Sequence, residues 1–259
     1  MPFADNNGIR IHYEVEGEGP PLVLCHGYLG SSEGWRINGY VEALKDCYKL
    51  ILLDARGHGY SDKPHNQEAY SDELMVVDVI SVLDELNIEK AHFLGYSMGG
   101  LIGWLIRKYA RDRFISLIIG GAVPSEQNHD VHKINERWLS PLRKGNEAVV
   151  AFLEKEDGAK LPSAFKRILL NNDPEALIAA DNFFQDRVEY NETEANTTLP
   201  CLLYMGEADL NHAEGKKCVD VLPNVTFVTL PDLNHTQSFI RSELVLPHIL
   251  KFLANMTKT

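Results

Sequence analysis

Apolar and polar positions run along this chain in two rhythms. Ile9 to Val15 alternates as a half-buried strand does, and Asn6-Asn7-Gly8 ahead of it is a tight-turn signal that predicts a hairpin with the first residues. Pro21 to Cys25, Tyr48 to Leu53, Ala91 to Leu94, Ile115 to Ile119 and Cys201 to Met205 are short and nearly continuous in apolar residues, and Val225 to Leu230 reads as the last strand. Such runs suit strands covered on both faces. Between them the spacing becomes helical. Ser71 to Leu86 sets Met75, Val79, Leu83 and Leu86, with Val76 and Ile80, along one stripe, and Leu101 to Tyr109 repeats apolar residues in the same way. The alternation of β and α segments predicts an α/β fold, a mainly parallel sheet of about eight strands flanked by helices.

The rhythm changes between Pro124 and Leu199. That stretch offers four helical segments with polar faces, roughly Val131 to Leu142, Glu147 to Glu154, Ser163 to Leu170 and Pro174 to Arg187. The chain is therefore read as one core, residues 1–123 and 200–259, interrupted by a helical cap, residues 124–199, inserted after the sixth strand. Trp138, Phe165, Phe183 and Phe184 within the insertion are candidates for lining a substrate pocket, with packing inside the insertion as the competing role. The closing stretch carries Phe239, Leu246, Ile249, Leu250 and Leu253 at helical spacing, and Pro247 marks either the start of that helix or a kink in it.

Composition narrows the choice of partner. A chain of 259 residues, 44% of them hydrophobic, can bury one large core. Its formal net charge of -12, with no basic run to interrupt it, repels polyanions, so a small neutral molecule is expected as the partner and nucleic acid is not. No stretch reaches the ~18 apolar residues of a membrane span. Met1 to Asp5 shows no secretory pattern, and a cytoplasmic protein with no membrane partner is expected. Cys25, Cys47, Cys201 and Cys218 lack metal or redox spacing and read as buried free thiols. His129 and His132, three apart, find no third ligand, and no GxGxxG follows the first strand, so neither metal nor cofactor is expected. Oligomeric state is left open, a homodimer included.

The chemistry concentrates at three strand ends. Gly95-Tyr96-Ser97-Met98-Gly99-Gly100 lies between the strand ending near Leu94 and the helix starting near Leu101, which is the setting of a GxSxG elbow that holds a serine hydroxyl at the top of a sheet. A serine hydroxyl needs a base, and an imidazole serves as one when a carboxylate fixes its tautomer. Ser97, Asp209 and His235 occur in the order serine, acid, histidine, each shortly after a strand. Among other acids, Glu207 would project from the opposite face of the strand end, Asp232 is too close in sequence to His235, and Asp220 falls in a helix. In the loop after Leu53, Asp54 and Arg56 read as a local ion pair that fixes the loop, with His58 structural beside it.

His26-Gly27-Tyr28, Asp54-x-Arg56-Gly57-His58-Gly59-x-Ser61, the Ser97 elbow, Gly206-x-x-Asp209 and His235 together resemble the serine hydrolases of the α/β-hydrolase fold superfamily, over essentially the whole chain. The resemblance implies Ser97 as nucleophile, His235 as general base and then acid, and Asp209 as the residue that orients it. It also implies an oxyanion hole built from the backbone N–H groups of Tyr28 and Met98. Many relatives have glycine before the histidine, where this chain has Asn234. Superfamily members that dehalogenate or open epoxides carry aspartate at the elbow, so Ser97 argues against both reactions. Members that cleave carbon-carbon bonds usually have more glycine and proline after the first His-Gly, and cofactor-free perhydrolases often have tryptophan where Tyr28 stands. The loop from His26 to Ser31 looks more like that of carboxylesterases. The first expectation is therefore hydrolysis of a small carboxylic ester through an acyl-serine. A lactonase or enol-lactonase stands second, and a ligand receptor with little turnover is the reading from another class.

Overall fold

The computed structural model describes residues 1–124, 136, 139–158, 160–184 and 199–256. Asn7 and Gly8 both take positive φ, 53° and 88°, as a two-residue hairpin turn requires, and they join β1 (Phe3–Asn6) to β2 (Ile9–Glu16). β2 then pairs antiparallel with β4 (Lys49–Leu53). Every other pairing is parallel, through β3 (Pro21–Cys25), β5 (Ala91–Tyr96), β6 (Phe114–Gly120), β7 (Cys201–Gly206) and β8 (Val225–Leu230), in the order β1-β2-β4-β3-β5-β6-β7-β8. This is the mostly parallel eight-stranded sheet that the apolar runs predict.

Those runs are continuous because successive side chains enter different cores. Val23, Ile51, Phe93 and Ile119 join one buried cluster, which includes Val79 of α3 (Asp72–Glu85) and Ile102 of α4 (Met98–Tyr109). Leu24, Leu52, Leu94 and Ile118, their neighbours in sequence, join a second cluster with Trp35, Tyr40, Val245 and Ile249. α1 (Glu33–Ile37), α2 (Tyr40–Leu44) and the last helix, α10 (Ser242–Met256), supply those residues. Pro247 lies inside α10 rather than at its start. Cys25, Cys201 and Cys218 are buried free thiols, and burial pushes Cys201 and Cys218 up to about 12 and 11; Cys47 is exposed, against expectation.

Between β6 and β7 the described residues form α5 (Asn146–Asp157), α6 (Ser163–Leu170), α7 (Pro174–Ala180) and a tighter turn, Asp181–Phe184. Asp173 caps α7 by accepting from the N–H groups of Glu175 and Ala176, and Pro174 occupies the first helical position, where its missing N–H does no harm. The helix expected over Val131 to Leu142 falls mostly outside the described residues. The inserted helices make a small core of their own from Leu139, Leu142, Val149, Leu153, Leu169 and Leu177, and Leu29 of the loop after β3 is buried in it. That contact places the insertion against the end of the sheet where β3 and β5 stop. After β7 come α8 (His212–Val221) and α9 (His235–Ile240). Among the described residues no helix is long and apolar enough to cross a membrane, and no group of three or more His, Cys, Asp or Glu is placed to hold a metal ion.

Candidate active site

β5 ends at Tyr96 and α4 begins at Met98, so Ser97 alone turns the chain, at φ 53° and ψ -112°. A non-glycine residue in so sparsely populated a region costs about 1–3 kcal/mol and persists only where its surroundings over-determine it. Here they do. The Ser97 N–H donates to the Gly120 carbonyl (2.8 Å), its carbonyl accepts from Leu101 N–H (2.9 Å), and Gly99 N–H donates to the His26 carbonyl (3.1 Å). The elbow glycines follow from crowding. A Cβ on Gly95 would lie 2.2 Å from the Gly99 oxygen, and one on Gly99 would lie 2.1 Å from the Cys25 oxygen.

His235 is the first residue of α9, whose start is fixed by a reciprocal cap. The Asn234 side chain accepts from Gln237 N–H (2.9 Å), while the Gln237 side chain accepts from Asn234 N–H (3.0 Å). The residue that departs from the glycine of many relatives thus orients the helix that presents the imidazole. His235 Nδ1 lies 2.7 Å from Asp209 Oδ2, and Nε2 lies 3.0 Å from Ser97 Oγ. Because a carboxylate only accepts, the ring proton sits on Nδ1 and the Nε2 lone pair faces the serine hydroxyl. The second Asp209 oxygen accepts from Asn211 N–H at 3.0 Å, and the carboxylate is buried. Tyr96 packs its ring against His235 at 5.4 Å and donates its hydroxyl to the His235 carbonyl. Of the other acids weighed, Glu207 accepts from Asp232 N–H at 3.4 Å and Asp220 lies in α8.

The two expected oxyanion donors flank this serine. Met98 opens α4, so its N–H is among the helix-terminal donors with no acceptor inside the helix. A Cβ on Gly27 would lie 3.3 Å from Ser97 Cβ, which sets the start of the Tyr28 loop beside Ser97. Gly30 N–H donates back to the Gly27 carbonyl (3.0 Å), closing a turn whose third residue, Leu29, has φ 66°. The Tyr28 hydroxyl donates to the Leu177 carbonyl (2.6 Å), and the Asn172 side-chain N–H donates to the Leu29 carbonyl (2.9 Å).

The expected Asp54 to Arg56 pair does not form. Arg56 donates through Nε and Nη2 to the two oxygens of Asp78 on α3, each at 2.5 Å, and Asn6 adds a bond to the same carboxylate at 2.8 Å. Asp54 instead receives His12 Nδ1 (2.8 Å) and the N–H groups of Ser32 (2.7 Å) and Tyr60 (3.0 Å). Burial alone would raise the Asp54 pKa, but these donors outweigh it and hold the carboxyl well below its ordinary range. His58 is buried, with Nδ1 3.0 Å from the Arg56 carbonyl, and burial beside His26 pushes it down to about 3. These groups brace the loops beneath the serine, and none of them reaches Ser97.

The four aromatic pocket candidates separate. Phe183 is buried and lines a small cavity with Asp72, Leu101, Trp104, Leu105, Val123 and Pro124, a lining that does not include Ser97 or His235. Phe165 is partly buried against the core of the inserted helices. Phe184 belongs to the same short turn as Phe183, with its side chain outside the described atoms, and Trp138 is outside the described residues. Sequence reading passed over Asn172 and Asp78, yet Asp78 is the only charged residue between Leu74 and Leu83 of α3, a pattern that signals a buried partner.

Residues 20–193 match the family model described as alpha/beta hydrolase fold. The chain is 35% identical over 116 residues to Epoxide hydrolase 4 of Mus musculus, covering 44% of this chain and 32% of that protein. It is 36% identical over 122 residues to 3-oxoadipate enol-lactonase 1 of Acinetobacter baylyi, covering 46% of this chain and 44% of that one. Matched stretches span from 19% to 56% of the length of such relatives. A thermophilic esterase from Thermogutta terrifontis superposes with a TM-score of 0.81 at 22% identity over 98% of both chains, a likeness of fold.

Proposed function

The chain belongs to the alpha/beta hydrolase fold family, and on that premise we propose that it is a serine hydrolase that cleaves a small carboxylic ester through an acyl-Ser97 intermediate. The observation that carries this reading is the continuous relay from Asp209 through His235 to Ser97, at 2.7 and 3.0 Å, ending on a strained elbow. Ser97 Oγ attacks the ester carbonyl as His235 Nε2 takes its proton, and buried Asp209 stabilises the resulting imidazolium. The carbonyl oxygen, now negative, accepts from the N–H groups of Met98 and Tyr28. Donors of this kind are worth about 2.7–4 kcal/mol each when removed from other enzymes. His235 then returns the proton to the departing alkoxide. In the second half it deprotonates a water that attacks the acyl-serine, which frees the acid and restores Ser97. The inserted helices α5, α6 and α7 act as a cap.

Lactone or enol-lactone hydrolysis is the second reading, favoured by the 36% identity to 3-oxoadipate enol-lactonase 1. The same steps open a cyclic ester, with the leaving oxygen still tethered to the acyl group. Epoxide opening is disfavoured by chemistry. A carboxylate at the elbow would give an ester that water can cleave, whereas Ser97 would give an ether that it cannot. Hydrolysis of a p-nitrophenyl ester series from acetate to octanoate, beside a small lactone panel and Ser97→Ala, tests the proposal. Sustained turnover that disappears in Ser97→Ala supports it. A burst of about one equivalent followed by silence favours a receptor, since deacylation then fails. Lactone turnover without ester turnover promotes the second reading, and turnover that survives Ser97→Ala rejects the serine mechanism.

A further inference from the structure

The turn that carries Tyr28 is built in an unusual way. Its third residue needs positive φ, where glycine or asparagine is the ordinary choice, yet Leu29 stands there at φ 66°. Glycine would relieve the strain, so leucine is there for its side chain and for what holds it. The side chain is buried among Leu139, Leu142, Leu169 and Leu177 of the inserted helices. The Leu29 carbonyl accepts from Asn172 in the corner between α6 and α7. One residue earlier, the Tyr28 hydroxyl is bound to the Leu177 carbonyl of α7. The corner is itself braced, because the Asn146 side chain donates to the carbonyls of Leu170 (3.0 Å) and Asn172 (2.9 Å). The insertion thus holds Tyr28 through its own hydroxyl and through the next residue, while Gly27, the residue before it, packs close to Ser97.

We infer that the α6–α7 corner through Asn172, together with α7 through the Leu177 carbonyl, is the positioning device of the oxyanion hole, so that the Tyr28 N–H is aimed correctly only while the inserted helices are seated. This rests on the serine-hydrolase reading. Asn172 touches no reacting atom; it acts by fixing the backbone one residue beyond the donor. A misplacement of ~1 Å at a reacting centre can lower a rate by about 10²-fold. One of two donors shifted by less should lower kcat by about tenfold.

The test uses the full chain and compares an oxo ester with its thiono analogue, in which sulfur replaces the carbonyl oxygen. A hole shaped for oxygen prefers the oxo ester; a loosened hole discriminates less. Asn172→Ala is expected to lower kcat for the oxo ester about tenfold, to leave KM within about twofold, and to reduce the oxo-to-thiono rate ratio by about fivefold or more. Tyr28→Phe, which removes the hydroxyl and keeps the N–H, should lower the same ratio. If Asn172→Ala does not fold, Asn172→Asp, which lacks the donor at nearly the same shape, is read in the same way. A general loss of structure would slow both substrates alike, so a ratio unchanged from the parent overturns the inference whatever happens to kcat. Oxo-ester turnover that survives Ser97→Ala overturns the serine reading, and this inference with it. Ser97-dependent turnover with an unchanged ratio overturns this inference alone.

Discussion

Replacing Asp209 by asparagine tests the relay at its least visible member. The carboxylate serves two donors, His235 Nδ1 at 2.7 Å and Asn211 N–H at 3.0 Å, and an asparagine offers only one oxygen for both. If the oxygen keeps Asn211, the new amide donates to Nδ1. The imidazole proton must then move to Nε2, which points a donor at Ser97 Oγ and leaves no base. If the oxygen turns to His235, the amide faces Asn211 N–H and leaves a donor unpaired in a buried place, at about 1–3 kcal/mol. The productive orientation is therefore disfavoured by roughly 5- to 150-fold. Even in that fraction no carboxylate stabilises the imidazolium, and a lost charge-assisted bond is worth a further ~1.5–3 kcal/mol. Together these terms amount to about 2.5–6 kcal/mol, which at about 1.36 kcal/mol per decade lowers kcat by about 10²- to 10⁴-fold. Asp209 does not face the substrate, so KM should move little. The assay is steady-state hydrolysis of p-nitrophenyl butyrate by Asp209→Asn and the parent, with thermal unfolding alongside. A loss of less than about tenfold in a variant that unfolds at the parent's temperature refutes the assignment of Asp209 as the orienting acid.

Gly99→Ala sets a Cβ 2.1 Å from a main-chain oxygen and should abolish soluble expression or lower ester turnover by more than about 100-fold. Gly34→Ala, in α1, meets nothing closer than 3.6 Å and should hold or slightly raise the melting temperature; equal effects of the two changes would reject the crowding argument. Arg56→Met strands the buried Asp78 carboxylate, at about 3–5 kcal/mol, and should lower the melting temperature by about 10 °C, with Arg56→Lys unable to restore both bonds. The pH dependence follows from His58, which binds a proton near 6.5 when unfolded and only at about 3 when folded. Its contribution is complete above about 6.5 and is lost as pH falls toward 3, by about 1.4 kcal/mol per unit in that window. In urea titrations between about pH 6 and 4, His58→Gln should flatten the decline by that amount, and an unchanged slope would count against a neutral buried imidazole.

The sheet was legible because its strands are covered on both faces. β3, β4, β5 and β6 feed alternate side chains into two cores, so each shows a nearly continuous apolar run, and the polar exceptions His92 of β5 and Ser116 of β6 bond to each other at 2.8 Å. The elbow was legible because its glycines record contacts with fixed main-chain atoms. The placement of Asp209 and His235 could be read because each follows a strand end in a sheet of known direction. What failed depended on distance along the chain. Arg56 and Asp54 are two residues apart and invite a local pair, but the fork of Arg56 reaches α3, where with Asn6 it satisfies the buried Asp78 carboxylate. Asn-x-x-Gln from Asn234 is a helix-start signature, and it fixes the start of α9 at the position where many relatives have glycine. The bond from Asn172 to Leu29 joins residues 143 apart, and no periodicity announces it.

Two non-glycine residues beside the site, Ser97 and Leu29, sit at positive φ, and they are held by different parts of the molecule. Ser97 is fixed by main-chain bonds to Gly120 and Leu101, with Gly99 tied to His26, all within the core. Leu29 is fixed by Asn172 and by the apolar core of the inserted helices. Among the described residues, the bonds that set Ser97, His235 and Asp209 are made within the core, while the proposed Tyr28 donor depends on contacts made by the inserted helices. If seating of those helices varies with the bound molecule, the relay stays assembled and the stabilisation of the oxyanion varies. Selectivity of that origin shows in kcat more than in KM, because the affected contact strengthens as the carbonyl oxygen becomes negative and is weak to the ground-state ester.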